Sequence, residues 1–218
     1  MDLPIVLRTL VLVVLAYLAG SIPVGVLVAR ASGGTDPRTV GSGRTGGTNA
    51  LRALGRKWAS VVVLGDLAKG AVPVLLARSV TNGDPAVEVL CGLAAVLGSA
   101  RSVFLRFGGG RGVGTGVGTM LVIQPAALVL AAPVFVVVIA ATGYVSLGSI
   151  IGSAAFLPAM LVLSLVGNRS IPPAYLIYAA VGAILIWFTH ADNIRRLLNG
   201  TERKFDVGML VGRRSSRS

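Results

Sequence analysis

Apolar runs recur along almost the whole chain, broken by short blocks of basic and glycine-rich sequence. A hydrocarbon core about 30 Å thick needs roughly 17–25 helical residues to cross it. Seven segments are candidates: residues 4–28, 58–77, 86–100, 112–123, 126–144, 147–166 and 172–189. The third and fourth are short, and the fourth stops at "QPAA". A segment of that length starts or ends inside the bilayer, or leans on a neighbouring loop buried in protein. The pattern predicts an all-α fold, a polytopic integral membrane protein with seven transmembrane helices.

Charge gives an independent check, because Lys and Arg collect in cytoplasmic loops. With the loop at 29–57 inside, the N-terminus lies outside and the C-terminus is cytoplasmic. The inside segments then hold Arg30, Arg38, Arg44, Arg52, Arg56, Lys57, Arg101, Arg106, Arg111 and seven basic residues from Arg195 to Arg217. The outside loops hold Arg78 and Arg169. Merging or dropping one span would spoil this asymmetry. Residues 1–205 are expected to form the membrane domain, and 206–218 a basic tail facing lipid headgroups.

Composition agrees: the chain is 54% hydrophobic and 13% charged, with mean hydropathy +0.83, where a soluble domain carries about 25% charged residues. A net charge of +12 would suggest nucleic acid on a soluble surface. Here the cations sit in short blocks between apolar runs with no aromatic interleaving, so no nucleic-acid partner is expected. Cys91, the only cysteine, lies in an apolar run and reads as a small buried hydrophobe. The first 20 residues read as a first span and not as a cleaved leader, since Asp2 replaces a basic start and the apolar pattern runs on to Val28.

The polar segments carry the candidate chemistry. "DPRTVGSGRTGGTNALRALG" (36–55) surrounds arginines with small and hydroxyl residues in a loop too long for a hairpin. In "FGGGRGVGTGVGT" (107–119), Gly108–Gly110 free the backbone to expose N–H groups. Gly114 and Gly118 have the small-xxx-small spacing of closely packed helices. "HADNIRRLLNGTERKF" (190–205) follows the last span. All three lie on the predicted cytoplasmic side, which suggests a shared anion site. Neither the P-loop ending nor a strand before the Gly-x-Gly repeats is present, so no nucleotide fold is indicated. Asp66 and Lys69, three apart on one helical face, read either as a structural ion pair or as a substrate contact. Two function classes fit: an enzyme acting on a phosphorylated substrate, or a transporter of phosphorylated anions with a broken helix.

The strings "GSIPVGVLVAR" (20–30), "DPRTVGSGRTGGTNALRALG" (36–55), "GDLAKGAVPV" (65–74), "VFLRFGGGRGVGTGVG" (103–118), "YVSLGSI" (144–150) and "HADNIRRLLNGTE" (190–202) resemble the bacterial acyl-phosphate:glycerol-3-phosphate acyltransferases, the PlsY-type family. The resemblance runs in order over nearly the full length. It implies a multi-pass protein of the bacterial cell membrane with its active site facing the cytoplasm. The implied reaction moves a fatty acyl group from acyl phosphate to the 1-hydroxyl of glycerol 3-phosphate, giving lysophosphatidic acid and phosphate. Acyl phosphate, glycerol 3-phosphate and membrane lipid are the implied partners; no cofactor and no metal are called for. The family's first motif falls on Gly41, Ser42, Gly43, Gly46, Thr48, Asn49 and Arg52, where its serine and arginine hold phosphate. The second falls on Gly109, Gly110, Arg111 and Gly112. The third falls on His190, Asn193 and the Gly200–Glu202 turn, with His190 and Asn193 at the reacting centre. Lys69 and Ser146 join the implied substrate contacts. Arg52 and Arg111 are expected to neutralise one phosphate each, and either His190 or a substrate phosphate oxygen takes the hydroxyl proton.

The chain departs from the family pattern at several positions. Arg111 stands for a usual lysine, Ser99 for a histidine, Ser102 for a proline, Arg44 for an asparagine, and Gly108 and Gly143 for basic residues. They leave a divergent paralogue, with altered or lost activity, as an alternative.

Overall fold

A computed structural model describes residues 4–166 and 170–205; Arg169 and the 206–218 tail lie outside them. Among the described residues there is no strand. The helices are α1 (Ile5–Ser21), α2 (Val24–Ser32), α3 (Gly47–Val80), α4 (Pro85–Ala100), α5 (Val113–Ile123), α6 (Pro125–Thr142), α7 (Val145–Val166), α8 (Pro173–Thr189) and α9 (Ala191–Leu198).

Four single helices are long and apolar enough to cross a membrane, and two further candidates are pairs of helices bent at a break. The expected first span is one of these pairs. Pro23 cannot donate a helical hydrogen bond, and α1 and α2 meet there at 41°. The other pair is α8 and α9, bent by 64°. The segment 36–55 is a loop only in part, because Gly47–Leu54 is already helical. A non-helical Gly55 (φ 76°) marks the kink that separates this turn from the rest of α3. Helix α5 has 11 residues, about 16 Å at 1.5 Å per residue, and cannot span the hydrocarbon alone.

What α5 lacks in length it gains in contact. Its residues Thr115, Gly116, Gly118, Thr119, Met120 and Ile123 are buried. A Cβ on Gly118 would run into the Leu67 carbonyl of α3, and one on Gly70 into the Thr115 carbonyl of α5. Any larger residue would push the two helices apart, so their spacing rests on these glycines, as the sequence pattern predicts. Helix α6, by contrast, buries only Ala127 and Ala131. Val129, Val136 and Val137 stand exposed, a face that suits hydrocarbon and not water.

At the end of the bundle away from the glycine loop, α5 is held by a buried charge. Glu88, 1% exposed, accepts from Arg78 Nε at 2.8 Å and Nη2 at 2.7 Å, and from the Tyr175 hydroxyl at 2.8 Å. Arg78 Nη2 also donates to the Val122 carbonyl at 3.1 Å, one of the carbonyls the end of α5 leaves without a helical partner. One bidentate pair thus ties α3, α4, α5 and α8 together. Sequence reasoning gave Arg78 only a topological role and missed Glu88; a lone carboxylate in an apolar helix was the available signal.

Candidate active site

The three polar segments meet where α3 and α5 begin and α8 ends. In the first, residues 37–44 wrap around Asn49, which is 3% exposed. Its Nδ2 lies within reach of the carbonyls of Pro37, Val40 and Arg44 and of Ser42 Oγ, at 2.9–3.3 Å. Its Oδ1 accepts from the Ser42 N–H at 3.3 Å and from Arg52 Nη1 at 3.1 Å. A Cβ on Gly41 (φ 56°) would sit 2.5 Å from that oxygen and 2.9 Å from Arg52 Nη1, so glycine is required by both torsion and space. Asn49 therefore shapes the loop and aims Arg52. Gly43 forms the next left-handed turn, and Thr48 is half-buried in the first turn of α3.

The second segment closes on itself. The Ser102 N–H donates to the Gly108 carbonyl at 2.8 Å, and the Gly110 N–H to the Ser99 carbonyl at 2.9 Å. Ser102 Oγ also donates to the Ser21 carbonyl at 2.5 Å; a proline at 102 could make neither bond. Gly109 packs against the Ser99 and Ala100 carbonyls, and Gly110 faces Thr45 of the first segment, within 3.5 Å of where a Cβ would stand. Gly112 (φ 77°) opens α5 with no side chain capping it, which leaves first-turn N–H groups able to receive an anion. Arg111 Nη2 pairs with Asp192 Oδ2 at 3.1 Å, while its Nε is buried with no partner.

The third segment supplies the floor. Glu202 Oε1 accepts from Asn193 Nδ2 at 2.6 Å and Ser146 Oγ at 3.0 Å, and its Oε2 from Arg196 Nε at 2.8 Å. Asn193, 2% exposed, keeps a buried Oδ1 without a partner. His190, also 2% exposed, holds the Ile186 carbonyl at 2.7 Å through Nδ1. A carbonyl can only accept, so Nδ1 carries the proton and Nε2 presents a lone pair. Phe205 N–H donates to the Gly143 carbonyl at 2.7 Å. Lys204 lies over Gly143 and the Tyr144 ring, so a basic group stands where the sequence itself offers glycine.

The electrostatics link the three. Burial lowers the pKa of Arg52, nearby Arg203 lowers it further, and Glu202 opposes. Burial likewise lowers Arg111, against the pull of Asp192; a guanidinium stays protonated regardless. Burial would raise the Glu202 carboxyl, but the bonds from Asn193, Arg196 and Ser146 outweigh it and hold its pKa below the ordinary value. Burial pushes His190 down to about 4, with Arg111 adding to the effect, so the ring is neutral at pH 7.

Because the folded value lies below the ordinary 6.5, the unfolded chain binds the proton better. Stability conferred by neutral His190 is present above pH 6.5 and is lost as pH falls toward 4. Lowering the pH from 7.5 to 5 should cost on the order of 2 kcal/mol through this group. His190→Gln should flatten the corresponding drop in thermal midpoint, measured in detergent.

Thus Arg52, Arg111, His190, Asn193, Ser42, Asn49, Gly109, Gly110, Gly112 and Ser146 gather at one end. Lys69 is bonded instead to Asp66 Oδ1 at 2.9 Å and to the Ile22 carbonyl at 3.1 Å. Asp192, the partner of Arg111, went unnoticed in sequence because the two residues are 81 positions apart. Beside the cluster a cleft of about 180 Å³ is lined by Arg44, Arg101, Thr189 and Asp192 among others. It shares Phe188 and Ala191 with an apolar groove of about 320 Å³ lined also by Ile184, Trp187 and Ile194.

Fold and site together define a polytopic helical membrane protein with a cationic pocket at one end. The chain belongs to the glycerol-3-phosphate acyltransferase family, whose profile matches residues 10–200. It is 44% identical over 199 residues to the glycerol-3-phosphate acyltransferase of Geobacter sulfurreducens, covering 91% of this chain and 98% of that one. It is 47% identical over 192 residues to that of Thermus thermophilus, covering 87% and 92%. The crystal structure of PlsY, an integral membrane glycerol 3-phosphate acyltransferase, in its glycerol 3-phosphate form superposes with a TM-score of 0.83. That match has 37% identity and covers 94% of this chain and 100% of PlsY. The lysophosphatidic acid form gives 0.80 at 35% identity.

Proposed function

We propose that the protein transfers a fatty acyl group from acyl phosphate to the 1-hydroxyl of glycerol 3-phosphate at the cytoplasmic face of a bacterial cell membrane. In this reading the chain crosses seven times, with α1–α2 as one crossing and α5 packed against α3 as the short one. Its N-terminus lies outside and its C-terminus inside. The observation that carries the proposal is the pair of buried, unpartnered atoms, Arg111 Nε and Asn193 Oδ1, beside the uncapped start of α5. A donor for an anion and an acceptor for a hydroxyl, on segments joined by the Arg111–Asp192 pair, suit a phosphorylated alcohol.

Arg52 and the Ser42–Gly43 turn take one phosphate, with Thr48 at its rim. Arg111, Gly109, Gly110 and the α5 N–H groups take the other, that of glycerol 3-phosphate. Holding both dianions against their repulsion supplies proximity and charge stabilisation. The apolar groove beside Phe188 receives the acyl chain. The glycerol oxygen forms a bond to the acyl carbon, the bond from that carbon to the phosphate oxygen breaks, and inorganic phosphate leaves with the hydroxyl's proton. Burial disfavours a charged ring at His190, so it orients the hydroxyl through Nε2 while a phosphate oxygen accepts the proton. His190→Ala should therefore lower kcat by about tenfold, short of the 10²–10⁴ of an essential base.

The test is product formation by purified protein in detergent. Lysophosphatidic acid and phosphate should appear in equal amounts with acyl phosphate as donor. Uptake of glycerol 3-phosphate into proteoliposomes without product would favour a transporter.

A further inference from the structure

We infer that Asp66 and Lys69 are positioning residues: they lock the start of α5 against the end of α1, and thereby set where the Arg111 loop holds phosphate. Lys69 is 9% and Asp66 15% exposed, and their charges meet at 2.9 Å. The pair reaches outward in two directions. Lys69 Nζ donates at 3.1 Å to the Ile22 carbonyl, at the break before Pro23 where α1 runs out of helical donors. A cation there also complements the negative end of the α1 dipole. Asp66 lies flat against the first turn of α5: a Cβ on Gly114 would stand 2.9 Å from its Cβ and 3.8 Å from its Oδ2.

The neighbours of this pair belong to the pocket. Ser21, next to Ile22, accepts from Ser102 Oγ, and the Ser102 N–H closes the loop on Gly108. Gly114 is three residues beyond Arg111. One ion pair thus fixes both borders of the glycine loop, residue 102 through α1 and residue 112 through α5. Two of the three ammonium N–H groups go to protein oxygens and the carboxylate faces the ammonium and the helix flank, so the pair acts on the site through α1 and α5. A shift of α5 along α3 would move the Arg111 guanidinium and the α5 N–H groups together. The consequence should fall on binding of the phosphate they hold and spare the acyl donor. Assigning that phosphate to glycerol 3-phosphate rests on the proposed function.

Three variants test this: Asp66→Asn/Lys69→Met, which removes both charges at once; Gly114→Ala, which presses on Asp66 from the other helix; and Lys69→Arg, which keeps the pair. In monodisperse protein, the first two should raise KM for glycerol 3-phosphate by about tenfold or more with kcat within about threefold. The third should stay close to wild type. A folded double variant with wild-type KM overturns the inference, and if that variant does not fold, a wild-type KM in Gly114→Ala overturns it. A wild-type protein that makes no product would sink the functional reading instead. The inference is then read from inorganic phosphate as the probe: the concentration giving half-maximal thermal stabilisation should rise about tenfold in the same two variants, and an unchanged value refutes it.

Discussion

Arg111→Ala should lower kcat/KM for acyl transfer by about 10²–10³-fold, the loss that follows removal of a preorganised donor facing developing charge, and Arg52→Ala should do the same. The two losses have different structural origins. Arg111 is half-committed, with Nη2 on Asp192 and Nε buried and unpartnered. Its removal deletes a charge and leaves Asp192 facing Arg44 and Arg196 alone. Arg52 is aimed by Asn49 Oδ1 at 3.1 Å, so Asn49→Ala should reproduce part of its loss while leaving the guanidinium in place. Arg111→Lys keeps the charge but gives up the fork that serves Asp192 and a phosphate at once. Initial rates at varied glycerol 3-phosphate should place it between wild type and alanine.

The largest effect on stability is expected at the other end of the molecule. Arg78→Ala leaves Glu88, 1% exposed, with only the Tyr175 hydroxyl, and the Val122 carbonyl loses its donor. Although the Arg78 side chain is 40% exposed, Glu88 is not, and leaving a buried carboxylate without its cation costs about 3–5 kcal/mol, because one hydroxyl does not offset its desolvation. For a chain of this size that corresponds to a fall in thermal midpoint of about 10 °C, measurable in detergent. Arg78→Met combined with Glu88→Leu removes both charges and should recover most of it. Recovery in the double variant separates charge burial from loss of packing.

The all-helical, multi-pass character of this fold was legible in sequence because long apolar runs are coarse signals that survive local irregularity. What escaped was local or distant. A break at Pro23 leaves the apolar pattern intact, since Val24–Val28 continues it, so hydropathy sees one span where the backbone makes two helices. Gly47–Leu54 looked like loop because its glycines are depleted from ordinary helices, yet Gly46 and Gly47 sit at the start, where they cost little. Candidate residues such as Arg52, Arg111 and His190, which the fold brings to one end, were singled out because their types suit a phosphorylated substrate and because their strings resemble a family. Asp192, the partner of Arg111, sits at a position no local pattern singles out, whereas Glu88, the partner of Arg78, was marked only by being a lone carboxylate in an apolar helix. The spacing of Asp66 and Lys69 already offered an ion pair; only the folded chain reveals that the pair faces the ends of two helices.

The most direct measurement is a crystal structure of the protein with glycerol 3-phosphate bound. The phosphate should lie within hydrogen-bonding distance of Arg111 and the first turn of α5, with the 1-hydroxyl turned toward His190 Nε2 and Asn193 Oδ1. A phosphate bound away from Arg111, or a hydroxyl pointing out of the pocket, would contradict that arrangement.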